Sequence, residues 1–432
     1  MKRYFILAKK FAFTDTAKDT YIIFSGNLLS AFLGFAYTLV AARALTIYDF
    51  GVLSAVINLV YLLSSLTDLG ISNGIVNFVS KHKTDGKSKE ADEYIKSALL
   101  IRLGAVILVG VIFLVNPLFF AKKFMATDNK VVTFWAVASF IAFIFYNFFP
   151  YILQAKREFF KSALVENSYG FLRLFLALVF ILLGTANLSS MLFSFTFANL
   201  GPLLFGIIFV GLGFLFTKPN LNTYINLLVF SGWLGIGRML NSISGRLDLQ
   251  MLASMKGAFD AGIYSVPSRL TLFIIVLAGS FSAVLAPRLS SFGNKEKERS
   301  YIFKATLALL PVVGGVLIWI LIAHPFIVFL FGEKFAVSVP VFRLLALSTI
   351  PFLMTAPATT AIIYAMRKTL YVGFMAFPQM ILIFLLNYYF IPKYGVLGPA
   401  YTLIIVNTLV FFYLWFIVLK NYLPKDEFKI ES

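Results

Sequence analysis

Residues 245–270 read GRLDLQMLASMKGAFDAGIYSVPSRL. Arg246, Asp248 and Arg269 stand here in otherwise apolar sequence of the kind that crosses a membrane. Within this stretch, the phrase FDAGIYS also resembles YDFGVLS at residues 48–54, about two hundred residues earlier. The stretch therefore indicates two features of the chain, charged side chains inside membrane helices and an internal repeat.

The composition of the 432-residue chain predicts a polytopic membrane protein. Hydrophobic residues make up 60% of the chain, only 13% of the residues are charged, and 50 are Phe. A soluble domain needs far more charge to cover its surface. The lack of cysteine excludes disulfides and thiolate metal sites, and the two histidines, His82 and His324, leave little room for a histidine site. We therefore expect no metal and no cofactor.

Twelve apolar segments remain when the chain is divided at loops that contain charge, Pro or Asn. The predicted spans are 21–42, 50–71, 97–116, 131–153, 163–184, 190–214, 224–255, 261–289, 302–324, 339–366, 370–392 and 396–420. Twelve spans place both termini on one side, and the distribution of Lys and Arg indicates the cytoplasm. The cytoplasmic segments hold 24 Lys and Arg, against 6 in the external loops. This asymmetry explains most of the net charge of +18 without nucleic acid.

Three sequence matches at one offset of 211 residues indicate an internal duplication. The pairs are 49–51 with 260–262, 119–124 with 330–335, and 156–157 with 367–368. Because each copy holds an even number of spans, both copies enter from the same side and form a parallel repeat with a pseudo-twofold axis. The predicted fold is an all-α membrane protein with two six-helix lobes around a central cavity. The predicted domains are an N-terminal lobe (1–214), a cytoplasmic linker (215–223) and a C-terminal lobe (224–432).

Four arginines within the predicted spans indicate a polar cavity. An arginine at the centre of a membrane helix costs at least about 2.5 kcal/mol and normally faces a polar interior. The fifth, seventh and eighth spans contain these residues: Arg173, Arg238, Arg246 and Arg269. Arg238, Asn241 and Arg246 recur at helical spacing and are predicted to share one face of the seventh span.

For the other charged residues of the spans, the sequence either leaves two interpretations open or favours a structural role. Arg43 ends the first span, where it either anchors at the interface or faces the cavity. Arg102 and Arg343 lie close to span ends and are expected to snorkel toward the headgroups. Asp68 and Asp248 serve either as proton or sodium sites or as counter-ions of arginines.

No constellation of catalytic residues appears in the sequence, so we expect that the protein is not an enzyme. The external loops are short and lack the paired acids, Ser/His set or metal cluster that a membrane-embedded transferase requires. A Walker-type loop ending in GK[ST] is also missing from the sequence. The longest external loop, residues 117–130, is too short for a glycan polymerase or ligase.

Four stretches together resemble a known family. They are ARALTIYDFGVLSAVINLVYLLSSLTDLGISNGIVNFVS (42–80), RLDLQMLASMKGAFDAGIYSVPSRL (246–270), FGEKFAVSVPVFRLLALS (331–348) and NYYFIPKYGVLGPAYTLII (387–405). In order and spacing they resemble the Wzx-like flippases of polysaccharide biosynthesis, members of the multidrug/oligosaccharidyl-lipid/polysaccharide (MOP) exporter superfamily. Thr46 departs from the pattern, since the first turn commonly has Gly at this position.

The resemblance implies a two-lobed, alternating-access transporter of the bacterial cytoplasmic membrane, with both termini cytoplasmic. Its substrate would be an undecaprenyl-diphosphate-linked oligosaccharide, and arginine suits the diphosphate because its forked donors match phosphate oxygens. The implied partners are membrane lipid, a monovalent cation (H+ or Na+) and other membrane proteins of polysaccharide assembly. The candidate substrate-binding residues are Arg43, Arg173, Arg238, Asn241, Arg246 and Arg269.

Two other transport functions belong to the same superfamily. A drug or organic-cation exporter would need an acidic cavity, whereas the charges inside the spans here are mostly basic. A flippase of the peptidoglycan precursor is the second alternative, although such proteins usually carry two further spans.

Overall fold

The computed structural model describes residues 15–422, apart from the side chains of residues 15–17, Phe145, Trp233, Leu234 and Arg238. Its regular elements are helices, and no strand occurs in the described range. The first half contains α1 (Asp15–Ala44), α2 (Ile47–Asp68), α3 (Ile71–Thr84), α4 (Ser88–Val115), α5 (Pro117–Met125), α6 (Val131–Ala155), α7 (Phe159–Leu182), α8 (Leu188–Phe197) and α9 (Leu200–Val210). The second half contains α10 (Leu221–Ser244), α11 (Leu247–Lys256), α12 (Ala258–Ser291), α13 (Lys295–Ala308), α14 (Leu310–Leu321), α15 (Ala323–Phe331), α16 (Val339–Met354), α17 (Ala356–Thr360), α18 (Thr369–Tyr394) and α19 (Gly398–Tyr422).

The helices confirm the predicted all-α, multi-pass membrane fold. In the described part of the chain, 10 helical segments are long and apolar enough to cross a membrane. The last of these segments, Thr369–Tyr422, contains both α18 and α19, of 26 and 25 residues. At 1.5 Å per residue, a helix of that length exceeds the roughly 30 Å of a bilayer core. The number of twelve spans stays a prediction.

The predicted span 224–255 is not one continuous helix. Helix α10 ends at Ser244, and α11 begins at Leu247. Arg246 lies at the break, where its N–H donates to the Ile243 carbonyl at 2.9 Å and its backbone leaves the helical region (φ −129°). Gly245 precedes Arg246, and glycine weakens a helix interior. The prediction that Arg246 continues the polar face of α10 is therefore wrong.

The chain forms two compact units, Met1–Ser242 and Ile243–Ser432. Most of α10 belongs to the first unit, because Gly235 meets the turn between α2 and α3: a Cβ added there would lie 2.5 Å from the Leu69 carbonyl oxygen. The Ser242 hydroxyl also donates to Ser65 Oγ at 2.7 Å. The predicted linker at 215–223 concerns the boundary of the sequence repeat and stays a prediction.

Helix starts repeat the offset seen in the sequence. Helix α2 begins at Ile47 and α12 at Ala258, 211 positions apart. The starts of α7 and α18 and those of α8 and α19 are 210 positions apart. The residues Arg157 and Arg367, also 210 apart, both take left-handed backbone conformations (φ 59° and 55°) just before α7 and α18. The backbone of each half therefore supports the predicted duplication.

Candidate functional site

Helix α7 brings charged and aromatic side chains to the interior of the first unit. Ser162, Glu166, Tyr169 and Arg173 follow one another at spacings of four, three and four residues, which places them on one helical face. This face packs against α1 and α6. Small residues allow a close approach to α1, since a Cβ on Gly26 would lie 2.9 Å from the Cβ of Ala163.

Arg173 is the most enclosed of the predicted substrate-binding residues whose side chains are described. It is 6% exposed, and its guanidinium carbon lies 4.4 Å from the centre of the Tyr37 ring and 5.0 Å from that of Tyr169. It also donates a hydrogen bond to the Tyr61 side chain. Within the described residues, no carboxylate lies within 4 Å of Arg173. The aromatic rings therefore offset a buried positive charge that has no acid beside it among the described residues.

Two donors at this arginine remain without a partner. The Nε of Arg173 and the hydroxyl of Tyr169 are both buried and make no hydrogen bond with described atoms. The Tyr37 hydroxyl, by contrast, donates to the Met191 carbonyl at 3.0 Å. A buried cation with unsatisfied donors beside it has the chemistry of an anion site.

Arg102 and Asp68 form an ion pair in the same unit, in which Arg102 is buried and Asp68 is half-buried. Arg102 Nη2 hydrogen-bonds Asp68 Oδ1 and also donates to Ser72 Oγ at 2.6 Å. Arg102 Nη1 donates to the Asn147 carbonyl at 3.3 Å. With 4% exposure, Arg102 does not snorkel, and that prediction is wrong. Of the two roles predicted for Asp68, the pair supports the counter-ion.

Asp248 is held by neighbours in the second unit. The fully buried Tyr264 donates its hydroxyl to Asp248 Oδ2, and the Leu249 N–H donates to Oδ1 at 2.7 Å. These bonds satisfy the carboxylate with donors from α11 and α12. They favour a structural role for Asp248, and its predicted coupling role stays a prediction.

The other predicted residues are distributed between the two units. Arg43 is exposed in the last turn of α1, and Asn241 is exposed on α10. Arg246 and Arg269 belong to the second unit and are half-buried. Arg238 lies on α10, but its side chain is outside the described residues.

A polar cavity of about 370 Å³ opens beside Glu166 in the first unit. Its lining comes from α1, α6 and α7: Ile23, Gly26, Asn27, Tyr146, Asn147, Pro150, Tyr151, Gln154, Phe159, Ser162, Ala163 and Glu166. Glu166 is not among the site residues predicted from the sequence. The spacing of seven residues between Glu166 and Arg173 was the available signal, because it places both on one face.

A second, mainly apolar groove of about 570 Å³ lies between α1 and α7. It shares Gly26 and Ala163 with the polar cavity, and Lys18 lines it as well. Asn167 Nδ2 donates to the Gly26 carbonyl at 3.2 Å and links the two helices beside it. The first unit thus places an apolar groove next to a polar cavity.

The electrostatics at the α6–α7 loop are basic. Burial lowers the pKa of the Lys156 amine, and the nearby Lys83 lowers it further.

Among described side chains, no group of three or more His, Cys, Asp or Glu could hold a metal ion.

Helices that are long and apolar enough to cross a membrane and that enclose charges define a multi-pass membrane protein. The chain belongs to the polysaccharide biosynthesis protein family, whose sequence profile matches residues 16–293. A Klebsiella pneumoniae membrane protein described as lying in the cps region is 25% identical over 427 residues, covering 94% of this chain and 82% of that protein. These findings confirm the resemblance predicted from sequence.

Solved structures of the MOP superfamily share the fold. An inward-facing multidrug resistance MATE family transporter is similar, with a TM-score of 0.74 and 13% identity, covering 93% of this chain and 96% of that chain. The lipid II flippase MurJ, in an inward closed conformation, has a TM-score of 0.73 and 16% identity, covering 92% and 87%. At these identities the comparison shows the fold alone.

Proposed function

We propose that the protein is a flippase that moves a polyprenyl-diphosphate-linked oligosaccharide across the bacterial cytoplasmic membrane by alternating access. The family match over residues 16–293 carries this proposal, because the family is one of polysaccharide biosynthesis. The same proposal includes three further points. The carrier is undecaprenyl, both termini are cytoplasmic, and the protein contacts other polysaccharide-assembly proteins.

Arg173 supports an anionic substrate. Moving a diphosphate out of water requires donors that replace its hydration, and a buried arginine with an unsatisfied Nε offers charge and geometry together. The apolar groove between α1 and α7 is suited to a hydrocarbon chain, and Lys18 in its lining suits a phosphate. In this proposal Arg43, Arg238, Asn241, Arg246 and Arg269 also contact the substrate.

The fold does not separate this function from those of its superfamily, since a MATE transporter and MurJ match almost equally well. An exporter of organic cations would gain from an acidic site, whereas Arg173 has no acidic partner within 4 Å in the described part of the chain. A buried cation of this kind repels a cationic substrate. We therefore rank the flippase above the drug exporter.

Reconstituted protein tests the proposal. Liposomes containing the purified chain receive a fluorescent polyprenyl-diphosphate-linked oligosaccharide in the inner leaflet, and a membrane-impermeant quencher reports its arrival outside. We expect export above that of protein-free liposomes and a loss of roughly a hundredfold for Arg173→Met, because charge-assisted hydrogen bonds of about 1.5–3 kcal/mol are removed.

Arg343→Met provides the matched control, since Arg343 is an exposed arginine on α16. This variant should export like the wild type. Export equal to that of empty liposomes would contradict the proposed function, and full export by Arg173→Met would contradict the role of Arg173. Transport of an organic cation instead would favour the alternative.

A further inference from the structure

Three of the acids in the helices discussed above have different kinds of partner. Asp68 pairs with Arg102, and Asp248 accepts the Tyr264 hydroxyl. Glu166 has only neutral partners: Gln154 Nε2 lies 3.4 Å from its Oε1, and the Ser162 hydroxyl lies within hydrogen-bond reach. In the described range, no basic side chain comes within 4 Å of Glu166.

Glu166 is half-buried beside the cavity, and a carboxylate partly withdrawn from water in this way favours a positive charge nearby. Removing an ionised carboxylate from bulk water is costly unless a cation or a proton neutralises it. Ionisable groups inside membrane helices are accordingly rare and usually carry a function. The amide of Gln154 and the hydroxyl of Ser162 give hydrogen bonds but no charge.

The surroundings of Glu166 contain oxygen ligands and space. Asn27, Asn147 and Gln154 line the polar cavity with side-chain amides. Pro150 lies inside α6 and has no N–H. The carbonyl of Tyr146, four residues earlier, therefore receives no helical hydrogen bond from this position. The cavity of about 370 Å³ has room for an ion and several waters, each of roughly 30 Å³. Hard cations prefer such oxygen donors.

Few other titratable groups belong to the helices packed on α7. Helices α8 and α9 contain none, and α1 has only tyrosines between Asp19 and Arg43. Those that come from α6 and from α7 itself are Tyr146, Tyr151, Lys161, Tyr169 and Arg173. Lys161 pairs with Glu158 at 2.8 Å at the start of α7. The charge balance at the cavity therefore depends on Glu166.

We propose that Glu166 and the polar cavity beside it form a binding site for a monovalent cation, H+ or Na+. The site lies on the same face of α7 as Arg173, two turns or roughly 10 Å away. A cation that neutralises Glu166 strengthens the positive potential at Arg173 and so favours an anion there. This coupling rests on the proposed function, whereas cation binding does not.

Radioactive sodium binding to the purified, detergent-solubilised chain tests the sodium form of the site. The wild type should bind ²²Na+ saturably at pH 8, and Glu166→Gln should weaken binding at least about tenfold because a charged ligand becomes neutral. Glu158→Gln makes the same chemical change at the start of α7, outside the cavity, and should bind like the wild type. Ser162→Ala, which keeps the charge, should weaken binding only a few-fold and serves as the second variant.

Infrared titration tests the proton form. If H+ is the ligand, the wild type and Glu158→Gln show a protonated-carboxyl band above about pH 6, where ordinary carboxyl groups are ionised, and this band is weaker in Glu166→Gln. Unchanged sodium binding and an unchanged carboxyl band in Glu166→Gln would overturn the site. So would a wild type with neither signal.

The lipid assay separates this inference from the proposed function. Export without any cation signal at Glu166 would refute the site and leave the flippase standing. A cation signal that depends on Glu166, in a protein that does not move the lipid-linked oligosaccharide, would refute the flippase and leave the site standing.

Discussion

Helices α7 and α18 begin 210 positions apart and bury equivalent faces, yet their side chains differ in charge. On α7 the positions are occupied by Glu166 and Arg173; on α18 the same positions are occupied by Ala376 and Ile383, which are both buried. In the first unit, aromatic rings pack around the charged side chain of Arg173. The two copies share a backbone pattern and differ in chemistry.

The same contrast holds for the ion pair. At an offset of 211, Asp68 and Arg102 correspond to Gly279 and Val313, so the second copy has no equivalent pair. In the opposite direction, Asp248 corresponds to Tyr37 in the first copy. Helix ends and apolar faces are similar in the two copies. Charged residues differ between the copies, because each one depends on its own local partner. Repeat symmetry is therefore a poor guide to the functional residues.

The largest effect is expected from breaking the ion pair of Arg102 and Asp68. Arg102→Met leaves Asp68 without its cation and should lower the free energy of unfolding by about 3–5 kcal/mol. Detergent-based unfolding of the purified protein measures this change. Combining Arg102→Met with Asp68→Asn should recover much of the loss, and a double variant as unstable as the single one would contradict the pairing argument.

Placing a charge in the second copy tests the asymmetry directly. Ile383→Arg puts an arginine where Arg173 stands in the repeat but without the rings of Tyr37 and Tyr169, and should destabilise the protein by about 2.5–3.5 kcal/mol. The same unfolding measurement applies. Ile383→Met is the control and should cost less than about 1.5 kcal/mol. Equal stability of both variants would show that the second unit also accommodates a buried cation.

The contact between α10 and the turn after α2 is expected to give an intermediate effect. Gly235→Ala should destabilise the protein by about 1–3 kcal/mol, because the new Cβ meets the Leu69 carbonyl. Gly237→Ala, on the same helix with nothing within 4 Å, should be neutral or stabilise by up to about 1 kcal/mol. Thermal unfolding of the two variants compares them, and equal midpoints would contradict the packing.

The smallest effect concerns two tyrosines that share one arginine. Tyr169→Phe keeps the ring over Arg173 and removes a hydroxyl without a partner, so stability should change by less than about 0.5 kcal/mol while export falls about threefold. Tyr37→Phe strands the Met191 carbonyl and should cost about 1 kcal/mol. Unfolding and lipid export are measured on both variants. Unchanged export by Tyr169→Phe would show that the Tyr169 hydroxyl does not contribute to the substrate site.

Membrane insertion and duplication were predictable from local sequence. Apolar segments of helical length and the placement of Lys and Arg depend on composition along the chain, and they indicated the multi-pass fold. Three sequence matches at one offset of 211 residues indicated the repeat. The position of Arg173 in the interior also followed, because an arginine in mid-span rarely faces lipid. The break at Arg246 was not predicted, because the polar residues on both sides of Gly245 follow one helical period. That spacing gave no sign that the helix ends there.

The partners of the charges were decided by tertiary structure alone. Asp68 finds Arg102 thirty-four residues away, on a different helix, and the same packing leaves Glu166 facing a cavity with neutral neighbours. A charge in a membrane helix must be neutralised by whatever the neighbouring helices bring to it, and no spacing along one segment reveals that neighbour. The sequence by itself therefore determined that this protein is a set of membrane-crossing helices that carry charge, and it predicted that the set is duplicated. Only the packing of those helices decided which charges are paired, as Arg102 is, and which, like Arg173 and Glu166, have no oppositely charged partner within 4 Å among the described residues.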